Sequence, residues 1–221
     1  MLQSEHRLAR EKFLMAIESL ESQQLFGLMS ELCSSVAHTW LAEGDYTHAT
    51  EYAERARDLA EEHNFVSHQA MAWNTLGEIA RAGEDYEQAA DCYASAVALF
   101  EQADNINAHI SRSNLALVEV ARGNFATARQ CLESSANDLT AVGLQSRLTS
   151  LFCGLMACAA NEDDWDGWEA YRQKALEGIE RTSGVDADVV WAARLASDVA
   201  VEHGREDLGA QALGLVQLAD Q

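Results

Sequence analysis

From Met71 to Phe100 the chain reads MAWNTLGEIARAGEDYEQAADCYASAVALF, and its apolar and small residues fall into two stripes. Trp73, Leu76, Gly77 and Ala80 form the first, and Tyr86, Ala89, Tyr93 and Ala96 the second. Recurrence every three or four positions puts each set on one face of a helix. The polar turn Gly83-Glu84-Asp85 separates them. The pattern predicts two amphipathic helices that meet where Gly77 and Ala89 are small, with Trp73 and Tyr93 filling the space beside them. A bulky residue at Gly77 is expected to cost roughly 1–3 kcal/mol by overpacking.

The second stripe recurs along the chain. Ala49-x3-Ala53-x2-Ala56, Ala89-x3-Tyr93-x2-Ala96 and Ala128-x3-Leu132-x2-Ser135 stand 40 and then 39 residues apart. Such a period marks a solenoid, whose units bury their apolar faces only against neighbours. Cys33-x2-Val36-Ala37-x2-Trp40 with Gly44-Asp45-Tyr46 makes the preceding unit, and Leu115-Ala116 with Gly123-Asn124-Phe125 the following one. A fourth unit, Phe152-x2-Leu155-Met156, Asp164-Trp165 and Trp168-x3-Arg172-x2-Ala175, has drifted. There Trp168 replaces the small residue at the helix crossing, so the local geometry is expected to differ. The fifth, around Trp191 to Leu218, turns at Gly204 and fits two registers, Gly209-x3-Leu213-x2-Val216 or Ala212-x3-Val216-x2-Ala219.

Extended backwards, the period finds Ala9-x3-Phe13-x2-Ala16, 40 residues before Ala49. Residues 4–21 therefore read as the second helix of a unit whose first helix is missing. Excision from a longer array and a native cap both explain this. Apolar Leu8, Leu14 and Met15 on more than one side of the helix favour excision, since caps carry a polar outer face. The expected organisation is a single array over 1–221, with a leading helix at 4–21 and helix pairs at 24–62, 66–103, 107–140, 144–181 and 186–219.

Composition supports an all-α reading. Hydrophobic residues make up 48% of the 221 and proline is absent, so nothing interrupts the helical pattern. No apolar run approaches the roughly 20 residues of a membrane helix. The N-terminus, with Glu5, Arg7, Arg10 and Glu11, lacks the core of a secretory signal. A cytoplasmic location is expected. Against 15 Lys and Arg stand 36 Asp and Glu, a formal charge of -21 that repels nucleic acid and anionic membrane and favours a basic partner. The competing reading is that the acid only confers solubility.

Candidate chemistry is sparse. Five cysteines contain no CxxC pair, and Cys33, Cys92 and Cys131 sit among apolar helical residues as small hydrophobes. His63 and His68 are five residues apart, off a shared helix face, with no third ligand in view. Glu162, Asp164, Asp166 and Gly167 resemble the start of a calcium loop, but Gln173 stands where a bidentate Glu is needed, and a solvated turn is the expected reading. No phosphate loop, GxSxG or HExxH is present. Neither an enzyme nor a cofactor is expected.

Trp73-x2-Leu76-Gly77, then Gly83-Glu84-Asp85-Tyr86-x2-Ala89-x3-Tyr93-x2-Ala96, resembles the tetratricopeptide repeat (TPR), W-x2-L-G-x2-Y followed by A-x3-F and P. It departs at Ala80, where Tyr is usual, and in lacking the closing proline. The unit also exceeds the family's usual length of about 34 residues. Longer units resemble those of arrays in bacterial transcriptional activators and Ser/Thr kinases, of kinesin light chains and of LGN-type adaptors. The resemblance implies a right-handed α-solenoid of antiparallel helix pairs whose concave face, lined by first helices, binds a protein or peptide. It implies His38, Asn74, Glu78, Arg81, Ser113, Asn114 and Leu117 as partner-binding residues. Asn74 and Asn114 lead, because a side-chain amide can donate and accept toward an extended peptide. Asn114-Leu115-Ala116 also resembles the groove-facing Asn-Leu-Ala of long-repeat adaptors. The family's carboxylate clamp needs an Asn just after the Leu-Gly pair with lysines nearby. Here His38, Glu78 and Leu117 occupy that place, and the only lysines are Lys12 and Lys174. The expected function is a protein-interaction scaffold in a larger signalling protein, or a ligand-sensing array that switches an attached effector. Self-association through the leading helix is a further expectation.

Overall fold

The computed structural model describes the backbone of residues 2–181 and 186–217, with side chains from residue 5 onward. Eleven α-helices and no strand occur among the described residues. In order they are α1 (Leu2–Glu21), α2 (Phe26–Ala42), α3 (Tyr46–Glu62), α4 (Val66–Ala82), α5 (Tyr86–Gln102), α6 (Asn107–Ala121), α7 (Phe125–Ala141), α8 (Leu148–Asn161), α9 (Trp165–Arg181), α10 (Ala187–Glu202) and α11 (Glu206–Gln217). A short 3-10 turn, Gln145–Arg147, leads into α8. Leu218 and Ala219, expected at the end of the fifth unit, lie outside the described residues.

Helices α2 to α5 are each 17 residues long and begin at 26, 46, 66 and 86. The 40-residue repeat is thus two 20-residue steps, each a helix followed by a three-residue turn. One backbone device closes the steps. A residue of positive φ follows the helix at Gln24, Gly44, Asn64, Glu84, Asp104, Gly123, Gly143, Asp163 and Gly204. The next N–H then donates back five residues, as from Asp45 to the Trp40 carbonyl (3.0 Å) and Asp85 to that of Ala80 (2.9 Å). This satisfies carbonyls that the helix end would otherwise leave unpaired. Gly44 supplies the left-handed conformation without steric cost. In the central unit Gly83 keeps a φ of -82°, and Glu84 takes the strained place at +63°.

The following helix starts immediately. Asp45 and Asp85 accept from the backbone N–H of His48 (3.1 Å) and Gln88 (3.0 Å), which caps two of the orphan donors. The hydrogen bond from the His48 backbone, and then that from its ring, hold the Asp45 carboxyl below its ordinary pKa.

The fold divides into two compact units, residues 1–111 and 112–221, with the division inside α6. The first unit is built largely on alanine. Ala37, Ala49 and Ala53 form one cluster with Leu76 and Ile79, while Ala70, Ala96 and Ala108 form another with Phe100. At the α4–α5 crossing a Cβ on Gly77 would lie 2.7 Å from the Tyr93 ring, which is itself wholly buried. Helix α1 packs through Ile17, and the buried Arg10 guanidinium lies 3.5 Å from the centre of the Trp40 ring while bonding Glu43 at 3.0 Å.

The second unit has one large core around α8, which is buried on nearly every side from Thr149 to Ala160. Trp168 is fully enclosed in the same cluster as Cys153 and Ala157. In the last unit the buried set is Leu208, Gly209, Ala212 and Leu215. Gly209 stands at a close crossing, 2.8 Å from Val201 as judged by an added Cβ, whereas Leu213 is 40% exposed. In the first register Leu213 faces outward, while of the second Ala212 is buried, Val216 packs against the core and Ala219 lies outside the described residues. The stripe starts at Gly209 and then turns through Ala212, because a three-residue step brings that small side chain inward.

Candidate functional site

In the first unit, α2 turns Glu31, Ser34, Ser35 and His38 to one side, spaced as successive turns of one helix face. Helix α4 adds Met71, Asn74 and Thr75, and the start of α6 adds Asn107, Ile110 and Ser111. With Phe100 these residues line a cavity of about 270 Å³. Four hydroxyl side chains, Ser34, Ser35, Thr75 and Ser111, leave room that larger residues would fill.

A polar network crosses this surface. Asn74 donates from Nδ2 to Glu78 Oε1 at 2.8 Å and accepts at Oδ1 from the Ser111 hydroxyl at 2.9 Å. Glu78 Oε2 lies 3.4 Å from His38 Nδ1, and His38 Nε2 lies 3.4 Å from the Thr75 hydroxyl, which donates to the Met71 carbonyl at 3.1 Å. Asn74 is thereby tied to Glu78 on its own helix and to Ser111 on α6, which fixes the orientation of its amide.

The seven expected residues separate into two groups. His38, Asn74 and Glu78 come together as above, and Arg81 sits half-buried in the last turn of α4, outside the cavity lining. Ser113, Asn114 and Leu117 belong to the second unit and are buried. Leu117 is a correction. It was expected between the packing stripes, but it is 0% exposed and packs against Gly154, where an added Cβ would lie 2.6 Å from Leu117 Cδ2. Having no side chain, Gly154 leaves a space that Leu117 fills.

Asn114 has lost its groove for a different reason. Arg147 donates to its Oδ1 at 3.2 Å and to Asp188 at 2.7 Å, with Asp186 at 3.8 Å. An arginine therefore covers the amide that register had singled out. Glu31, Ser34, Ser35, Thr75 and Ser111 were not among the expected residues. They carry a usable signal, since Ser34 precedes Asn74 by 40 positions and Glu31, Met71 and Ser111 recur at the same interval.

Other candidates have structural roles. The His63 ring stacks on Phe26 at 3.9 Å, and His68 meets Phe65 edge-on at 5.8 Å. Asp164 caps α9 by accepting from the Gly167 N–H at 2.9 Å. No group of three His, Cys, Asp or Glu suited to a metal occurs among the described residues, and none of their helices is long and apolar enough to cross a membrane. Burial pushes the thiols of Cys153 and Cys158 up to about 12, which keeps them protonated and unreactive.

Residues 68–141 match the model of the tetratricopeptide repeat. No curated protein matches the sequence. Among solved structures, the apo form of RapI superposes with a TM-score of 0.82 at 15% identity, covering 98% of this chain and 77% of that one. A Rap protein complexed with competence and sporulation factor gives 0.71 at 14% identity, with 99% and 67% covered. A Podosopora anserina protein of kinesin-light-chain type, with nearly identical TPR-like repeats, gives 0.58 at 14% identity, with 86% and 95% covered. At these identities the likeness establishes the fold, an all-α TPR-like helical solenoid.

Proposed function

We propose that this chain, with its TPR-like fold and the tetratricopeptide-repeat match at residues 68–141, is a non-catalytic interaction module whose first unit binds an extended peptide segment of a partner. The observation that carries this reading is the cavity framed by α2, α4 and α6, with Asn74 held at its edge by Glu78 and Ser111. Small hydroxyl residues make the volume, and the Asn74 amide stands at its edge, tied to Glu78 and Ser111. His38, Asn74 and Glu78 carry the binding in this proposal. Ser113, Asn114 and Leu117 do not. The acidic surface favours a basic partner through long-range attraction. We place the module in the cytoplasm, as one continuous array over 1–221 within a signalling or regulatory protein.

The test is a short-peptide library panned against the wild type and against Ser35→Trp, which fills the cavity. Binders of the wild type should be lost in the variant while circular dichroism stays helical. Binders that ignore a folded Ser35→Trp would remove this site from consideration.

A second reading, a ligand-sensing array that switches an attached effector, is favoured by one observation. The similar Rap protein was solved with competence and sporulation factor bound. A soluble ligand at about 100 times its Kd should stabilise the fold by about 2.7 kcal/mol. A scaffold would respond only to a protein partner, so thermal shift separates the two. Self-association through α1, which exposes Leu8 and Met15, is checked by sedimentation of the full chain.

A further inference from the structure

Resting on the peptide reading above, we infer that the cavity of the first unit takes a basic side chain, arginine or lysine, as the anchor of the bound peptide. Its volume, about 270 Å³, falls below the roughly 300–1,000 Å³ of drug-sized ligand sites. One long side chain fits it, and a folded segment does not. The lining has two chemistries. Met71, Phe100 and Ile110 offer an apolar wall, against which an aliphatic stem can lie. Glu31 offers a carboxylate at the exposed side of the cavity, one helical turn from Ser34 and Ser35.

That carboxylate has no hydrogen-bond or ion-pair partner among the described residues. Glu78, two turns of α4 beyond Met71, adds a second negative group beside His38. No lysine or arginine is among the residues that line the cavity. An apolar side chain would leave Glu31 without a counter-ion beside a newly dried surface. An acidic one would be repelled by Glu31 and by the formal charge of -21. A guanidinium or ammonium group satisfies both walls, because its stem is apolar and its head pairs with a carboxylate.

The experiment pans a library of short peptides, acetylated and amidated so that no terminal charge competes, against the wild type and Glu31→Lys. The wild type should enrich arginine or lysine at one position. Remaking the best binder with citrulline there should weaken it roughly tenfold, the difference between a charge-assisted and a neutral hydrogen bond. Glu31→Lys should erase the enrichment, and Glu31→Gln, a milder change at an exposed position, should reduce it. Enrichment of apolar or acidic residues alone, or citrulline binding as well as arginine, would overturn this inference and leave peptide recognition standing. If no peptide is enriched by the wild type, the peptide reading fails and the inference falls with it.

Discussion

Asn74 and Asn114 are 40 residues apart and occupy the same place in successive repeats, yet their surroundings are opposite. In the first unit Asn74 edges a cavity, and its Oδ1 accepts from the short Ser111. In the second unit Asn114 is buried beneath Arg147, which two aspartates hold in place. The next position in the register is Gly154, and the space it vacates is filled by Leu117. Register therefore assigns a residue to a face, while accessibility depends on the bulk and charge of what the adjoining helices place beside it. The first unit keeps small hydroxyls there and leaves a cavity, and the second spends the same face on packing.

The sharpest way to break this comparison is Leu117→Ala. If Leu117 is core, truncation should cost about 2–5 kcal/mol, read as a fall in urea midpoint. A loss within about 0.5 kcal/mol, as expected of an exposed residue, would return Leu117 to the candidate surface. Next in size, Gly154→Leu should destabilise by about 1–3 kcal/mol through collision with Leu117 and Leu132. Combining it with Leu117→Ala should recover part of that loss, since the two changes share one space. Gly77→Leu, against the Tyr93 ring, should cost about as much as Gly154→Leu alone.

The two asparagines supply a subtler contrast. Asn114→Ala should cost about 1–2 kcal/mol because it strands part of a buried charged network, and it should leave peptide affinity unchanged. Asn74→Ala should cost less in stability and most in affinity, as measured by titration of a library-derived peptide. Reversal of that order would mean the binding face lies in the second unit. The smallest effect is expected at the turn of the central repeat. Glu84→Gly relieves a left-handed residue and should raise stability by about 0.5–1 kcal/mol, whereas Glu43→Gly, just before Gly44 in a right-handed cap, should not. Differential scanning calorimetry resolves the pair.

Much of the fold was legible because repetition multiplies weak signals. The Trp73/Leu76/Gly77 and Ala89/Tyr93/Ala96 stripes predict a close α4–α5 crossing, and Gly77 stands against Tyr93 there. Legibility declined where small residues ceased to mark the crossings. In α8, with all of Thr149 to Ala160 but Phe152 buried, a one-sided stripe no longer distinguishes packing face from groove. In α11 two spacings fitted the sequence, and packing buries Ala212 while it leaves Leu213 exposed.

The sequence by itself determined that the chain is helical, that its repeat is about 40 residues and that its charge is strongly negative. Those properties follow from side-chain spacing and composition, which are local or additive. Only the tertiary structure decided which of two equivalent asparagines lines a cavity. Whether a cavity exists depends on Ser111 and Arg147, residues 37 and 33 positions from the asparagines they meet. Volume and charge pairing at such distances along the chain are set when helices pack, and no periodicity records them.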